Sequence, residues 1–385
     1  MSSVKIRTFP SPKNLPFTRR EGWGYHACVI DTDRTLGQWL PKLELAEWVA
    51  VDTEADSLHA YPEKLCLIQL SIAGNDVLLD PLSSMDLGPV LEALRRHELI
   101  LHGADYDLRL LYRTYGFVPE RIFDTMLAAR LLGLREFGLS ILVENLLGVK
   151  LEKGPQKANW GRRPLTERME AYARNDTRYL RALAVLLASR LRELGRLGWH
   201  AEACHQLVAE CAQRRVFEPD TLWRVKGSHR LSPAALAVLR SLWQWREEEA
   251  VRANKPPFFV LPPELMVRLA SAAGGAAAGG QDLVDDILPP HLTSRRRTGI
   301  LDAVRLGLAD TEPPRPVWHI PYRQSEAARN RYQKLEKRRD EQAVRLQIDP
   351  TLIASRATLL DLAHDWDGHA VELMRWQREL LEENG

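Results

Sequence analysis

Between Trp48 and Asp80 the chain passes through three apolar stretches in quick succession, and no other segment limits its possible folds so tightly. The segment EWVAVDTE holds an apolar run up to Asp52, the pattern of a buried strand. LCLIQLSIA and DVLLD follow, joined by the turn-forming Ala73, Gly74 and Asn75, and the three together predict an antiparallel meander. Ahead of them lie a short β-like stretch at HACVI and an amphipathic run with Leu36, Trp39, Leu40, Leu43 and Leu45. From Leu87 the pattern changes to a helix, a short strand at LILH and a helix through Leu108, Leu111, Tyr112 and Tyr115. Several helices follow, ending in a long segment from Thr166 to about Leu197. A sheet followed by alternating helices is a layered α/β domain.

The 385 residues exceed what one hydrophobic core serves, so two or three domains are expected. In a second block, from about Phe217 to Leu308, Leu236, Leu239, Leu242 and Trp243 recur at helical spacing and NKPPFFVLPPEL breaks the pattern before it restarts at Glu264. The tract ASAAGGAAAGG reads as a loose loop or frayed helix end, because Gly costs about 1 kcal/mol relative to Ala inside a helix. A third block, from about Pro313, is again helical, with Leu352, Leu359, Leu360 and Ala363 apolar. The expected division is an N-terminal extension over 1–21, an α/β domain over 22–205 and all-α domains over 214–308 and 313–385.

Net charge is 53 − 51 = +2, which excludes a polycation that holds nucleic acid by bulk charge; any such contact must be local. Arg315–Arg345 has nine Lys/Arg against four Asp/Glu, although a mixed run such as KLEKRRDEQAVR is ordinarily the solvated face of a helix. No stretch approaches the run of about 20 apolar residues that a membrane span needs. Cys28, Cys66, Cys204 and Cys211 fit neither a zinc pattern nor a disulfide scaffold, and no apolar block follows the basic residues of the first segment. A reduced, cytoplasmic protein is expected.

Three carboxylate clusters carry the chemistry. Asp52 and Glu54, two apart on a strand, face the same way, and adjacent like charges at a strand end are costly unless a cation shares them. In LHGADYDLRLL, Asp105 is placed to cap a helix and Asp107 lies in its first turn, with His102 at the preceding strand end. In MEAYARNDTRYL, Tyr172 and Asp176 are four apart on one helix face, about 6 Å from each other. Each cluster alone has an ordinary reading: a loop acid pair, a helix cap, a Tyr–Asp hydrogen bond.

Together, in this order, they resemble the DEDD exonuclease superfamily in the subtype with tyrosine in its third motif, and within it the ribonuclease D family. The matching residues are Asp52 and Glu54 in VDTEADS, Asp107 in HGADYDLRLL, and Tyr172 and Asp176 in YARNDTRYL. KLCLIQLSI, FDTMLAARLLG and NWGRRPLTERMEAYA are similar to the family as well. Farther on, Trp223-Arg224-Val225-Lys226, Trp245-Arg246-Glu247 and Asn254-Lys255-Pro256 through Leu261 resemble a helicase-and-RNase-D C-terminal (HRDC) domain, and DPTLIASRATLLDLA a second, divergent one. The Ala/Gly tract departs from that pattern.

The resemblance implies a ribonuclease H-like α/β domain followed by two small HRDC-type all-α domains. It implies two divalent ions, Mg²⁺ or Mn²⁺, held by Asp52, Glu54, Asp107 and Asp176, with Tyr172 orienting the attacking water. The implied reaction is 3′-to-5′ release of nucleoside 5′-monophosphates from RNA, such as tRNA precursors. His102, Trp160 and Arg163 are candidates to touch the substrate, with loop packing of Trp160 and solvation of Arg162 and Arg163 as the ordinary alternatives. A DNA 3′-to-5′ exonuclease and a non-catalytic RNA-binding scaffold are the competing readings.

Overall fold

In the computed structural model the described residues are 28–213, 219–275, 280–315 and 325–382. The expected extension over 1–21, the part of HACVI before Cys28, Phe217 and residues 276–279 of the Ala/Gly tract lie outside them. The chain divides into two compact units: one takes in residues up to Ala55, Leu65–Gln213 and Gln324–Gly385, and the other Asp56–Lys64 and Arg214–Arg323.

The first unit is built on a mixed sheet of β1 (Cys28–Ile30), β2 (Val49–Ala55), β3 (Leu65–Ile72), β4 (Asn75–Leu79), β5 (Glu98–Leu101) and β6 (Arg121–Asp124), in the order β1-β4-β3-β2-β5-β6. The antiparallel meander expected for β2, β3 and β4 is present, with Asp52 opposite Gln69. β5 and β6 then run parallel to β2. All eight residues of β3 are buried, as helix layers on both faces require. β6 is the strand that periodicity misses: it is four residues long and begins and ends on charged side chains.

Helices α1 (Asp33–Glu44), α2 (Gly88–Arg95), α3 (Asp105–Tyr115), α4 (Thr125–Leu131), α5 (Leu139–Leu142), α6 (Glu167–Arg178), α7 (Leu180–Glu193) and α8 (Leu197–Cys211) cover the sheet. The long helix expected from Thr166 is two, separated at Tyr179. Asp105 is not the cap of α3; Ala104 is the N-cap and offers no side-chain bond, while Asp105 binds Arg109 one turn on.

The second unit holds α9 (Pro219–Leu222), α10 (Pro233–Ala253), α11 (Pro257–Val260), α12 (Pro263–Gly275), α13 (Gly280–Ile287) and α14 (Ser294–Leu308). Its core joins Trp223, Leu236, Leu239 and Leu242 to Met266, Leu269, Ile300 and Val304. The Ala/Gly tract stays helical as far as Gly275. Within this unit the Tyr61 hydroxyl donates to Glu247, and the Tyr61 N–H to Asn254 Oδ1 at 3.2 Å.

The last block does not form a body of its own. Its helices α15 (Glu326–Leu346), α16 (Arg356–His364), α17 (Trp366–His369) and α18 (Arg375–Leu381) belong to the first unit. Ile353, Leu359, Leu362, Trp376 and Leu381 share one core with Ala50, Ile100, Leu131, Leu183 and Leu187. Trp199 of α8 stacks on Trp376 of α18 with ring centroids 4.9 Å apart, and buried Arg196 donates at 2.7 Å to both the Leu131 and the Leu346 carbonyls. The charged first half of the block is therefore one face of a helix whose other face is packed.

Candidate active site

Asp52 and Glu54 stand near the end of β2, next to β5, and the chain leaving β5 turns at once into α3 with Asp107 in its first turn. Across the meander, α6 lies over β2, β3 and β4 and brings Tyr172 and Asp176 to the same point. Carboxylate oxygens of Asp52, Glu54 and Asp176 all lie within 4.8 Å of one another. Asp107 is outside that trio of ligand atoms but close enough that its charge raises the pKa of the other three. All five residues named from the motifs therefore converge.

Each of three acids is held by a neutral donor. The Thr53 hydroxyl donates to Asp107 Oδ1 at 2.5 Å, Gln69 Nε2 to Asp52 Oδ2 at 3.4 Å, and the Tyr172 hydroxyl to Asp176. Thr53 and Gln69 escaped the motif reading, although Gln69, like Ser71, is a polar residue in a largely apolar strand and is fully buried. Such a residue needs a partner, which is the signal that could have found it.

Burial, then mutual repulsion, pushes the acids far from their ordinary values. Asp107 and Asp176 rise to about 7, chiefly by desolvation, and Glu54 rises to about 9 by desolvation and the charges of Asp176 and Asp107. Asp52 is raised by desolvation and by the other three acids together. The Tyr172 phenol is raised as well, by desolvation and then by Asp176, Glu54 and Asp52, so it stays protonated at neutral pH. Asp176 Oδ2 is buried without a hydrogen-bond partner. Four crowded carboxylates with an orphaned oxygen fit a divalent cation, and an all-oxygen donor set suits a hard one.

The three residues expected to touch substrate fare differently. Trp160 is 1% exposed and sits in a core cluster with Met169 and Ala173, its ring 6.1 Å from that of Tyr172. It backs Tyr172 and has no surface for a base. On another side of the same ring, a Cβ at Gly154 would fall 1.6 Å from Tyr172 Cδ2, so the approach requires glycine. Arg163 is a clamp: it binds Asp80 at 2.5 and 2.6 Å and donates to the carbonyls of Cys66 and Trp160 at 2.7 and 2.8 Å. With its fork occupied, it is not a free phosphate ligand. Removing one partner of such a pair strands the other, so Arg163→Ala should cost about 3–5 kcal/mol in denaturant unfolding. KM should stay within about twofold of wild type, since a role in binding substrate would raise it by tenfold for each 1.4 kcal/mol lost.

His102 remains at the site edge. Its Nδ1 lies 2.9 Å from Thr125 Oγ1, whose one proton goes to the Leu101 carbonyl. His102 must therefore donate through Nδ1, leaving the Nε2 lone pair for another donor. Burial lowers its pKa, so the ring is neutral at pH 7.

A mixed sheet of this order with acids converging from two strand ends and a helix is the arrangement of the ribonuclease H-like exonucleases. The 3′–5′ exonuclease family matches residues 28–192 and the HRDC domain matches residues 235–273. Ribonuclease D of Desulfotalea psychrophila is 32% identical over 247 residues, 63% of this chain and 66% of that one. Ribonuclease D of Pseudomonas paraeruginosa is 36% identical over 236 residues, 60% of this chain and 62% of that one. The chain thus spans just under two thirds of the length of these relatives. Escherichia coli RNase D, described as an exoribonuclease involved in structured RNA processing, superposes with a TM-score of 0.71 over 93% of this chain and 99% of that one, at 24% identity, a likeness of fold. The chain thus carries a 3′–5′ exonuclease domain and an HRDC domain and is similar in sequence to ribonuclease D.

Proposed function

We propose that the chain is a metal-dependent 3′-to-5′ exoribonuclease that trims the 3′ ends of structured RNA, tRNA precursors among them, and releases nucleoside 5′-monophosphates. The observation that carries this reading is the convergence of Asp52, Glu54 and Asp176 within 4.8 Å, with Tyr172 bonded to Asp176 and Asp107 alongside. The names of the relatives support RNA as substrate.

Two hard divalent ions, Mg²⁺ or Mn²⁺, would when bound make a water nucleophilic and stabilise the leaving oxygen. Asp52, Glu54 and Asp176 would hold the ion that activates the water, and Asp107 would help to hold the one that stabilises the leaving oxygen. Tyr172 keeps its proton, donates it to Asp176, and retains a lone pair that can accept from the attacking water and fix its direction. His102 is the residue we place beside the substrate, as an acceptor through Nε2. Cys66, Cys204 and Cys211 are buried thiols, which suits a reduced cytoplasmic setting. Among the described residues no helix is long and apolar enough to cross a membrane.

The test is product analysis of a 3′-extended tRNA precursor and a matched DNA strand, with and without Mg²⁺ or Mn²⁺. Stepwise metal-dependent release of 5′-mononucleotides from the RNA is expected. Release from DNA alone, or none from either, would overturn the assignment.

A further inference from the structure

The buried carboxylate of Asp124 makes four hydrogen bonds to backbone N–H groups of two different helix starts. Oδ1 accepts from Met126 and Leu127 at 2.7 and 3.1 Å, capping α4. The same carboxylate accepts from Gly103 at 3.1 Å and from Ala104 at 2.8 Å, the two residues that lead into α3. This double use follows from the sheet: β5 and β6 are parallel neighbours with Leu101 opposite Asp124, so both chains leave the sheet and turn into helices side by side.

The α3 start has no cap of its own. Ala104 lacks a polar side chain, and the Asp105 carboxylate is drawn away to Arg109. Gly103, in the left-handed region at φ 72°, makes the turn, and a Cβ there would meet Met126 Cε at 2.2 Å. The turn is thus both shaped against α4 and tied to it. Asp107 comes three residues after Ala104, so the tie fixes where α3 begins and hence where Asp107 points. From behind, His200 Nε2 donates at 2.9 Å to the Asp124 carbonyl, fixing the end of β6.

We infer that Asp124 is a positioning residue for the metal site: it caps α3 from a neighbouring strand and thereby aims Asp107 at Asp52, Glu54 and Asp176. The inference rests on the metal-dependent reading above. Buried groups that orient first-rank ligands change metal affinity by about 10- to 100-fold when replaced.

The test uses the full chain with two readouts. In the metal-free protein, Asp124→Asn should speed amide hydrogen exchange at Ala104 by more than about tenfold, since an asparagine that keeps its oxygen at Oδ1, where Gly103, Met126 and Leu127 donate, sets an NH₂ group against the Ala104 N–H that now meets Oδ2. In Mn²⁺ titrations followed by calorimetry, Asp124→Asn should weaken binding by about tenfold or more, but add nothing further in an Asp107→Asn background. Leu362→Ala, a buried substitution in α16, is the control; it should lower the melting temperature while leaving Mn²⁺ affinity and exchange at Ala104 unchanged. Unchanged exchange at Ala104, or a Mn²⁺ loss that is additive with Asp107→Asn or matched by Leu362→Ala, would overturn the inference. A wild-type chain that binds no Mn²⁺ would instead sink the metal assignment itself, and this inference along with its second readout.

Discussion

Asp52→Asn should lower kcat by roughly a thousandfold or more, about 4 kcal/mol of transition-state stabilisation, while RNA affinity in the presence of the cation changes little. Asp52 has its pKa raised by burial and by the charges of Asp107, Asp176 and Glu54 together, and its ligand oxygen lies within 4.8 Å of those of Glu54 and Asp176. Asparagine keeps the volume and one oxygen but removes the charge, so the fold has no reason to fail. Metal-free Asp52→Asn should in fact melt above wild type at alkaline pH, where the crowded acids ionise, because one buried acid that must lose its proton there is gone. Single-turnover kinetics with filter binding separates the two parts, and a variant that retains full turnover would remove Asp52 from the chemistry.

The second large effect concerns the metal-free protein and pH. In the folded chain Asp107 and Asp176 hold their protons up to about pH 7 and Glu54 to about pH 9, against 3.8 and 4.5 for the unconstrained groups. The folded state therefore binds protons more tightly than the unfolded one. The stability these groups contribute is fully present below about pH 4 and is lost as pH rises through about 7 and then about 9. Glu54→Gln deletes the last part of that loss. With the cation chelated, it should melt at the wild-type temperature near pH 4 and several degrees above wild type at pH 9. Added Mn²⁺ should narrow the gap by stabilising the wild type, whose oxygens it binds. Calorimetric melts of both proteins across pH 4–9 are the measurement; equal melting temperatures at pH 9 would show that Glu54 is not crowded as described.

What the sequence made legible follows from how local each signal is. Asp52 and Glu54 share a strand, and Tyr172 and Asp176 share a helix turn, so spacing alone puts each pair on one face. The meander was readable because β2, β3 and β4 are joined by short connections and built from apolar runs. Arg163 was misread because its partner Asp80 lies 83 positions away, and a Gly-Arg-Arg-Pro string looks like exposed loop until that partner is known. Spacing alone leaves Trp160 open between packing and substrate contact for a like reason: its neighbours come from β3, β4 and α6. Asp124 went unassigned because its work is done for residues 20 and 21 positions earlier, across a parallel pairing that the four-residue β6 gave no periodicity to predict. The charge pattern of α15 announced its wet face, whereas the packed face depends on which unit it meets.

That α15 to α18 complete the hydrophobic layer behind the sheet bears on how the molecule is made. A ribosome releases Asp52, Asp107 and Asp176 early, but the residues that close over Ala50, Ile100 and Leu187 are numbered 343 and above. Until synthesis has passed them, the nuclease sheet has one face without its full cover, with the whole intervening helical unit already emerged. A chain that ends prematurely in that interval is left with an unfinished core, lacking Ile353, Leu359, Leu362, Trp376 and Leu381.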